Sequence, residues 1–114
     1  MANQVKFKSY AKRVLSELQR RELAALHAIG LQMSENIAAE ITTRHLIDTG
    51  ALQGSPFHKV DENKKSVYNG SDLEYAIYQN EGTSTGIKPQ HFMQDAYLNN
   101  KKQIQEIAEE YLDL

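Results

Sequence analysis

Residues 9–46 read SYAKRVLSELQRRELAALHAIGLQMSENIAAEITTRHL, and this stretch decides the fold. Its apolar residues recur at spacings of three, four or eight, which places them on one side of an α-helix. No proline interrupts it, and polar residues such as Arg13 and Glu35 occupy the opposite side. The sequence therefore predicts one long amphipathic helix. Its apolar stripe consists of Leu15, Leu18, Leu26, Ile29, Met33, Ile37 and Ile41, and Leu23 and Ala25 widen it.

Gly30 lies inside this predicted helix, where glycine costs about 1 kcal/mol relative to alanine. It indicates either a bend or a close crossing by another helix. A continuous helix over residues 9–46 is about 57 Å long at 1.5 Å per residue, roughly twice the width of a domain of this size. Part of the helix is then expected to project or to be covered by a neighbouring subunit, whereas a helix broken at Gly30 also fits a monomer.

The middle of the chain, residues 48–88, is predicted to be irregular and rich in β-structure. Gly50 suits a left-handed helix cap, and Pro56 blocks further helix. Residues 57–60 and 66–68 read as two short strands around a polar hairpin loop at 61–64, and residues 69–70 supply another turn. A short helix is expected over residues 73–79, followed by an exposed loop over residues 81–88.

Residues 89–112 are predicted to form one C-terminal helix that begins near Pro89, because proline is favourable in a first helical turn. Acidic residues near its C-terminal end oppose the helix dipole, so we expect that end to fray unless cations of a partner cover it. The fold class is therefore α+β: a single domain of 114 residues in which a long N-terminal helix (1–47) and a C-terminal helix (89–114) pack on a small antiparallel sheet within residues 48–88. The apolar side of the last helix consists of Phe92, Met93, Ala96, Ile104, Ile107 and Tyr111.

Composition restricts the class of protein. The hydrophobic fraction of 40% and the charged fraction of 25% are ordinary for a folded domain. The chain contains no cysteine, which excludes disulfides and thiolate metal sites. No apolar run approaches the roughly 20 residues that span a bilayer, so no membrane association is expected. The N-terminal residues lack the apolar segment of a signal peptide, and export by that route is not expected.

Charge is distributed unevenly along the chain. Residues 1–47 hold seven basic and four acidic side chains, a net charge of +3, and residues 48–114 hold six and eleven, a net charge of −5. A basic front and an acidic rear could let identical subunits meet head to tail. Both regions could equally be solvated faces.

Reactive centres are not indicated. The four histidines form no His-x-x-x-His pair, and the best local case for a metal, His45 with Asp48, supplies too few ligands for a closed site. The chain has no Gly-x-Ser-x-Gly elbow, and residues 82–86 lack the lysine of a phosphate-binding P-loop. We therefore predict no enzyme activity and no catalytic, cofactor-binding or metal-binding residue.

Four short motifs follow one another in the second half of the chain. They are DTGAL with Ser55 (residues 48–55), VYNG (67–70), YAIY running to EGT (75–83), and Pro89 followed by FM and Ala96 (89–96). In this order they resemble the minor tail components and head–tail joining proteins of long-tailed double-stranded DNA phages and prophages. The resemblance covers residues 48–98 by motif. In three places the sequence departs from the family pattern: Glu81 directly precedes Gly82, two residues separate Pro89 from Phe92, and Pro56 stands where a strand usually begins.

The resemblance implies a structural virion protein, a tail-completion or neck component that docks onto connector and tail proteins. It implies a ring, commonly of six subunits, through which DNA passes without specific binding, made in the host cytoplasm and ending in the virion. No cofactor is implied. The motif positions carried over are Thr49, Gly50, Leu52, Ser55, Gly70, Tyr75, Ala76, Glu81, Gly82, Thr83, Pro89, Phe92 and Ala96.

The residues in these motifs also favour a scaffold. Gly50 and Gly82 suit backbone conformations that other residues avoid, and the aromatic side chains can anchor a thin core or an interface. Glu81 is expected either to cap the loop or to pair with a cation of another subunit. The candidate interaction loop consists of Glu81, Gly82, Thr83, Ser84, Thr85, Gly86, Ile87 and Lys88, and we expect it to become ordered on assembly.

Two other classes remain open at this point. The basic N-terminal helix, with Lys6, Lys8, Lys12 and Arg13, could serve a small nucleic-acid-binding regulator, although Glu17 dilutes the positive charge. The chain could also be a partner-binding module, as in a toxin–antitoxin pair, whose long helix docks on one other protein.

Overall fold

The structure, a computed structural model, describes residues 2–44, 51–52, 54–84, 86 and 88–113; side chains are described from residue 12 onward, except at positions 74 and 75. The chain has an α+β fold. Its helices are α1 (Ala2–Thr43), α2 (Glu74–Glu81), α3 (Phe92–Leu98) and α4 (Lys101–Leu112). The strands β1 (Pro56–Asp61) and β2 (Ser66–Ser71) form a two-stranded antiparallel sheet.

Helix α1 is longer than the sequence predicted. It begins at Ala2 instead of residue 9 and runs 42 residues to Thr43, which corresponds to about 63 Å. The predicted cap at residues 48–50 lies outside the described residues. The molecule measures 72 × 23 × 22 Å, and its radius of gyration of 19.2 Å exceeds the roughly 13 Å of a compact domain of this length. The long helix therefore sets the elongated shape.

The helix runs through Gly30 without a break. The residue is glycine because strand β1 crosses there: a Cβ atom added to Gly30 would lie 2.6 Å from Cγ and Cδ2 of His58. The side chain of Asn69 in β2 donates hydrogen bonds to the carbonyl oxygen of Gly30 (3.0 Å) and to Oγ of Ser34 (3.2 Å). The prediction of a close crossing was right in kind, but the crossing element is a hairpin instead of another helix.

The hairpin is more regular than expected. Residues 69–70, predicted as a turn, lie within β2 and pair with His58 and Phe57, so that prediction was wrong. Pro56 does not merely end a helix, because it is the first residue of β1. Asp61 closes the connecting loop through its Oδ1, which accepts N–H bonds from Asn63 (3.0 Å) and Lys64 (3.1 Å).

The C-terminal segment forms two helices instead of one. Asn99 and Asn100 separate α3 from α4, and Nδ2 of Asn100 donates to the carbonyl oxygen of Ala96 (2.7 Å). Asparagine competes with the helical backbone for hydrogen bonds in this way, which accounts for the break. The segment also begins later than predicted, because His91 adopts a left-handed conformation (φ 51°) just before Phe92.

The core lies where α1 meets the second half of the chain. The C-terminal helices pack along α1 and not on the sheet, which contacts α1 separately. Polar bonds reinforce this contact, as where Nδ2 of Asn36 in α1 donates to Oε1 of Gln103 in α4 (2.9 Å). Within the described part of the chain, no helix is long and apolar enough to cross a membrane. The buried core consists of Met33, Ile37, Ile41, Leu52, Ala76, Phe92 and Ala96, with Ile29, Leu73, Met93 and Ile104 packed against it.

Candidate functional site

Four residues of the sequence motifs meet in the core. Leu52, Ala76, Phe92 and Ala96 come from four separate segments, and each is fully buried. They close over the C-terminal part of the apolar stripe of α1. Alanine at positions 76 and 96 leaves room for the ring of Phe92 in a close-packed interior. These motif positions are therefore packing positions, and none of them offers a reactive group.

A second group of motif residues fixes the base of the hairpin. The hydroxyl of the buried Ser55 donates to the carbonyl oxygen of Leu52 (2.7 Å) and accepts a hydrogen bond from the hydroxyl of Ser71 (2.6 Å). The Ser71 hydroxyl in turn accepts the N–H of Leu73 (3.2 Å). The start of β1 and the end of β2 are thus tied to the segments on either side of the sheet.

The loop after α2 contains the next motif. Gly82 caps the helix with φ 80° and ψ 175°, and its N–H bonds to the carbonyl oxygen of Tyr78 (2.7 Å). The positive φ predicted for Gly82 is confirmed. Only glycine adopts this region of backbone conformation readily, which explains the residue found there. Glu81 is the last residue of α2 and is exposed. The role of its carboxylate in capping the loop or pairing with another subunit stays a prediction.

The loop returns to α2 through backbone pairing. The N–H groups of Gln90 and His91 donate to the carbonyl oxygens of Gln79 (2.8 Å) and Asn80 (2.9 Å). The buried side chain of Asn80 accepts the N–H of Met93 (3.0 Å), which satisfies one of the free donors at the start of α3. Gly86 has a positive φ of 132°, whereas Ser84, Lys88 and Pro89 are exposed. Thr49, Gly50, Thr85 and Ile87 lie outside the described residues, as does the side chain of Tyr75.

Arg44, which the sequence analysis did not single out, links three segments. Its guanidinium binds Asp95 of α3, Glu40 of α1 (3.2 Å) and the carbonyl oxygen of Gln90. The hydrogen bond to Asp95 raises the pKa of Arg44 above its usual value, although burial opposes the shift. The spacing of Glu40 and Arg44 is visible in the sequence, but Asp95 is 51 positions away and no sequence pattern indicates it.

The outer face of the hairpin is an exposed aromatic surface. Phe57 and Tyr68 are exposed, whereas their neighbours His58 and Asn69 face α1. Phe57 pairs with Gly70 and Tyr68 with Lys59, so the two aromatic rings lie diagonally across the two strands on one face. We call this pair, with Lys59 between them, the hairpin face. Large aromatic side chains exposed on a short sheet are typical of binding surfaces.

The N-terminal part of α1 offers a second exposed surface. The ion pair between Arg21 and Asp113 (3.6 Å) marks the level at which α4 ends. Residues 2–20, which we call the arm, continue α1 beyond that level for about 28 Å. Val14, Leu15 and Leu18 on the arm are 43%, 61% and 44% exposed. Leu15 and Leu18 were predicted as part of the apolar stripe, and they extend it past the region that the rest of the chain covers.

Between α1 and the hairpin loop lies an open groove of about 460 Å³. Lys65 and Glu22 form an ion pair (3.3 Å) across it. Among the described residues, no group of three histidine, aspartate or glutamate side chains is placed to hold a metal ion. His27 and His58 meet edge to face (5.7 Å between ring centres) at the crossing of α1 and β1, and His45 and Asp48 lie outside the described residues. The groove is lined by Gln19, Arg20, Glu22, Leu23, Leu26, Glu62, Asn63 and Lys65.

Comparison of this chain with protein-family models, with curated proteins and with solved structures gives no match. The resemblance to phage tail components therefore rests on the four motifs alone. The candidate functional site is accordingly defined by the structure: the hairpin face, the loop after α2 and the arm.

Proposed function

We propose that this chain is a structural virion protein of a long-tailed phage or prophage, a tail-completion or head–tail joining component that docks onto connector and tail proteins as a ring. The order and spacing of the four motifs in residues 48–96 carry the proposal. The described motif residues occupy packing, capping and turn positions. Motifs of this kind are expected when proteins share a structural framework and not a chemical reaction.

The exposed surfaces support a docking role. The hairpin face presents two aromatic side chains, the residue type that most often supplies binding energy in protein interfaces. Each strand of the two-stranded sheet has a single strand neighbour within the described part of the chain, so each has an outer edge that an extended segment of another protein could join. An elongated subunit with a projecting arm suits an assembly in which each subunit contacts more than one neighbour.

The test is joining of heads to tails. In a phage whose copy of this gene is disrupted, we expect DNA-filled heads and complete tails to accumulate separately. Purified wild-type protein added to that lysate restores plaque-forming particles. A matched sample of the double variant Phe57→Ser with Tyr68→Ser, folded by circular dichroism, does not. Normal yields of infectious particles from the disrupted phage contradict the proposal.

The arm favours one alternative function. Residues 1–20 carry five basic side chains and one acidic side chain, and residues 2–20 project from the rest of the molecule. A projecting basic helix can bind nucleic acid through phosphate contacts. Tight binding to duplex DNA that weakens steeply as salt rises, together with normal head–tail joining in the disrupted phage, would favour a regulatory protein over the virion component.

A further inference from the structure

The apolar stripe of α1 continues onto the arm without cover. Leu18 precedes Ala25 by seven positions and Ile29 by eleven, so all three lie on one side of the helix. Ala25 is buried and Ile29 packs against the core, whereas Leu18 and Leu15 are exposed. Helix α4 ends level with Arg21. The side of α1 that is packed after Arg21 in the sequence is therefore open before it.

The arm is basic around these apolar residues. Residues 1–20 contain five basic side chains and one acidic side chain, Glu17, which gives a net charge of +4. The basic residues are Lys6, Lys8, Lys12, Arg13 and Arg20. Glu17 is already engaged by Arg20 and by Arg21 (3.2 Å), and the hydrogen bond from Arg21 lowers its pKa. Two arms placed side by side would bring like charges together. An apolar contact between arms is therefore opposed by electrostatic repulsion.

The last two turns of α4 carry the opposite charge. Glu106, Glu109, Glu110 and Asp113 are all exposed, and Glu106 and Asp113 each lie three and four positions from the adjacent pair Glu109 and Glu110. Like charges at these spacings repel, and acids at a helix C-terminus oppose the helix dipole. Among the described residues, Arg21 reaches this cluster and pairs with Asp113 at 3.6 Å. The exposed ring of Tyr111 adds an aromatic surface to the same end of α4.

We infer that the arm of one copy of this chain docks along the acidic outer side of α4 in a second copy. Leu15 and Leu18 would cover apolar surface near Tyr111, and Lys8 and Lys12 would pair with the glutamates of α4. The contact joins two different surfaces, so it is heterologous and produces a closed ring when the rotation between copies closes. This inference rests on the ring assembly proposed above, for which it names the two surfaces that meet.

Charge reversal tests the contact. Lys8→Glu with Lys12→Glu makes the arm acidic, and Glu106→Lys with Glu110→Lys makes the end of α4 basic. Lys12, Glu106 and Glu110 are exposed, and circular dichroism verifies folding of both variants. By sedimentation velocity at low salt, we expect wild-type protein to self-associate and each variant alone to lose self-association by at least about tenfold. An equal mixture of the two variants has complementary surfaces again, and association should return.

Chemical cross-linking gives a second readout that also detects weak association. The chain has no cysteine, so single cysteines can be placed without background. Leu15→Cys protein mixed with Tyr111→Cys protein should form a heterodimer with a short bismaleimide, which bonds one thiol of each chain. Leu15→Cys mixed with Lys64→Cys, in the hairpin loop, is the matched control and should not. Rising salt should reduce the specific product.

Several results overturn the inference. They are monomeric wild-type protein with no specific cross-link, failure of the variant mixture to associate, and efficient cross-linking of Leu15→Cys with itself, which would indicate paired arms. Loss of DNA binding on arm reversal, with no change in self-association, assigns the arm to nucleic acid instead. The virion role is judged separately by head–tail joining, so either idea can fail while the other stands.

Discussion

A side chain at position 30 would clash with strand β1 where it crosses α1. We predict that Gly30→Ala destabilises the protein by about 1–3 kcal/mol, because the new methyl group overpacks against the His58 imidazole, 2.6 Å away. In an open helix the same change stabilises by about 1 kcal/mol. Urea unfolding of the two proteins measures the difference.

The control for this prediction is His58→Ala. Removing the imidazole opens the space above Gly30, so Gly30→Ala added to His58→Ala should be neutral or stabilising. If Gly30→Ala destabilises equally in both backgrounds, contact with His58 is not the reason for glycine at this position.

At Gly82 the backbone conformation itself favours glycine. Its φ of 80° with ψ of 175° lies in a region nearly reserved for glycine. We expect Gly82→Val to lower the free energy of unfolding by about 1–3 kcal/mol. Glu81→Ala, at the adjacent exposed position, should change it by less than about 0.5 kcal/mol. Equal melting temperatures for wild type and Gly82→Val would contradict the strain argument.

Among the structural elements, the end of α1 and the start of α3 are held together by Arg44. We predict that Arg44→Lys destabilises the fold by about 1–3 kcal/mol, because an ammonium cannot match the fork that serves Asp95, Glu40 and the Gln90 carbonyl. Arg20→Lys is the matched control. Its pair with Glu17 is exposed, so a change below about 0.5 kcal/mol is expected. Similar thermal shifts for the two substitutions would show that the Arg44 network adds nothing beyond a surface ion pair.

The hairpin carries the next prediction. Replacing Phe57 and Tyr68 together with serine should leave the melting temperature nearly unchanged, because both side chains are exposed on the outer face. Head–tail joining should fall by at least about tenfold, since aromatic anchors dominate interface energies. Lys59→Ala, on the same face, is the control and should retain most joining. Full joining by the double serine variant would exclude the hairpin face as a docking surface.

The elements differ in how far the sequence could predict them. Helix α1 was predictable because its apolar residues keep one period over many turns. The break at Asn99 and Asn100 was not, because the apolar pattern continues across it and a hydrogen bond from one side chain decides the outcome. The pairing of Asn69 with α1 was missed for a related reason: Asn-Gly is a strong local turn signal, and tertiary contact overrides it.

For the molecule as a whole, the sequence predicted the α+β class but not the contacts that hold its parts together. Arg44 and Asp95 are distant in sequence, and Asn80 reaches α3 from the end of another helix, so their roles appear only after folding. The motif residues Leu52, Ala76, Phe92 and Ala96 were identified in advance because their order resembles a family, not because any spacing shows that they meet. The elongated shape follows from a helix longer than the domain that covers it.

Changes in the loop of residues 81–88 can separate the stability of the fold from the proposed docking function. Its ends are held by backbone bonds from Gln90 and His91 to Gln79 and Asn80, outside the segment 83–86. Deleting 83–86 shortens the connection, and the entropy of closing a loop changes only slowly with its length. We therefore expect the deletion to change the free energy of unfolding by less than about 1 kcal/mol. The melting temperature should then stay within a few degrees of the wild-type value.

Joining of heads to tails should nevertheless be lost in this variant, because Ser84 and Gly86 of the loop are exposed and accessible to another protein. Replacement of 83–86 by four residues of glycine and serine is the control that separates loop length from loop chemistry. If both variants join heads to tails as well as wild type does, the loop has no docking role, and binding must reside in the hairpin face or the arm. If the replacement variant joins heads to tails but the deletion variant does not, the length of the loop matters for docking and its side chains do not.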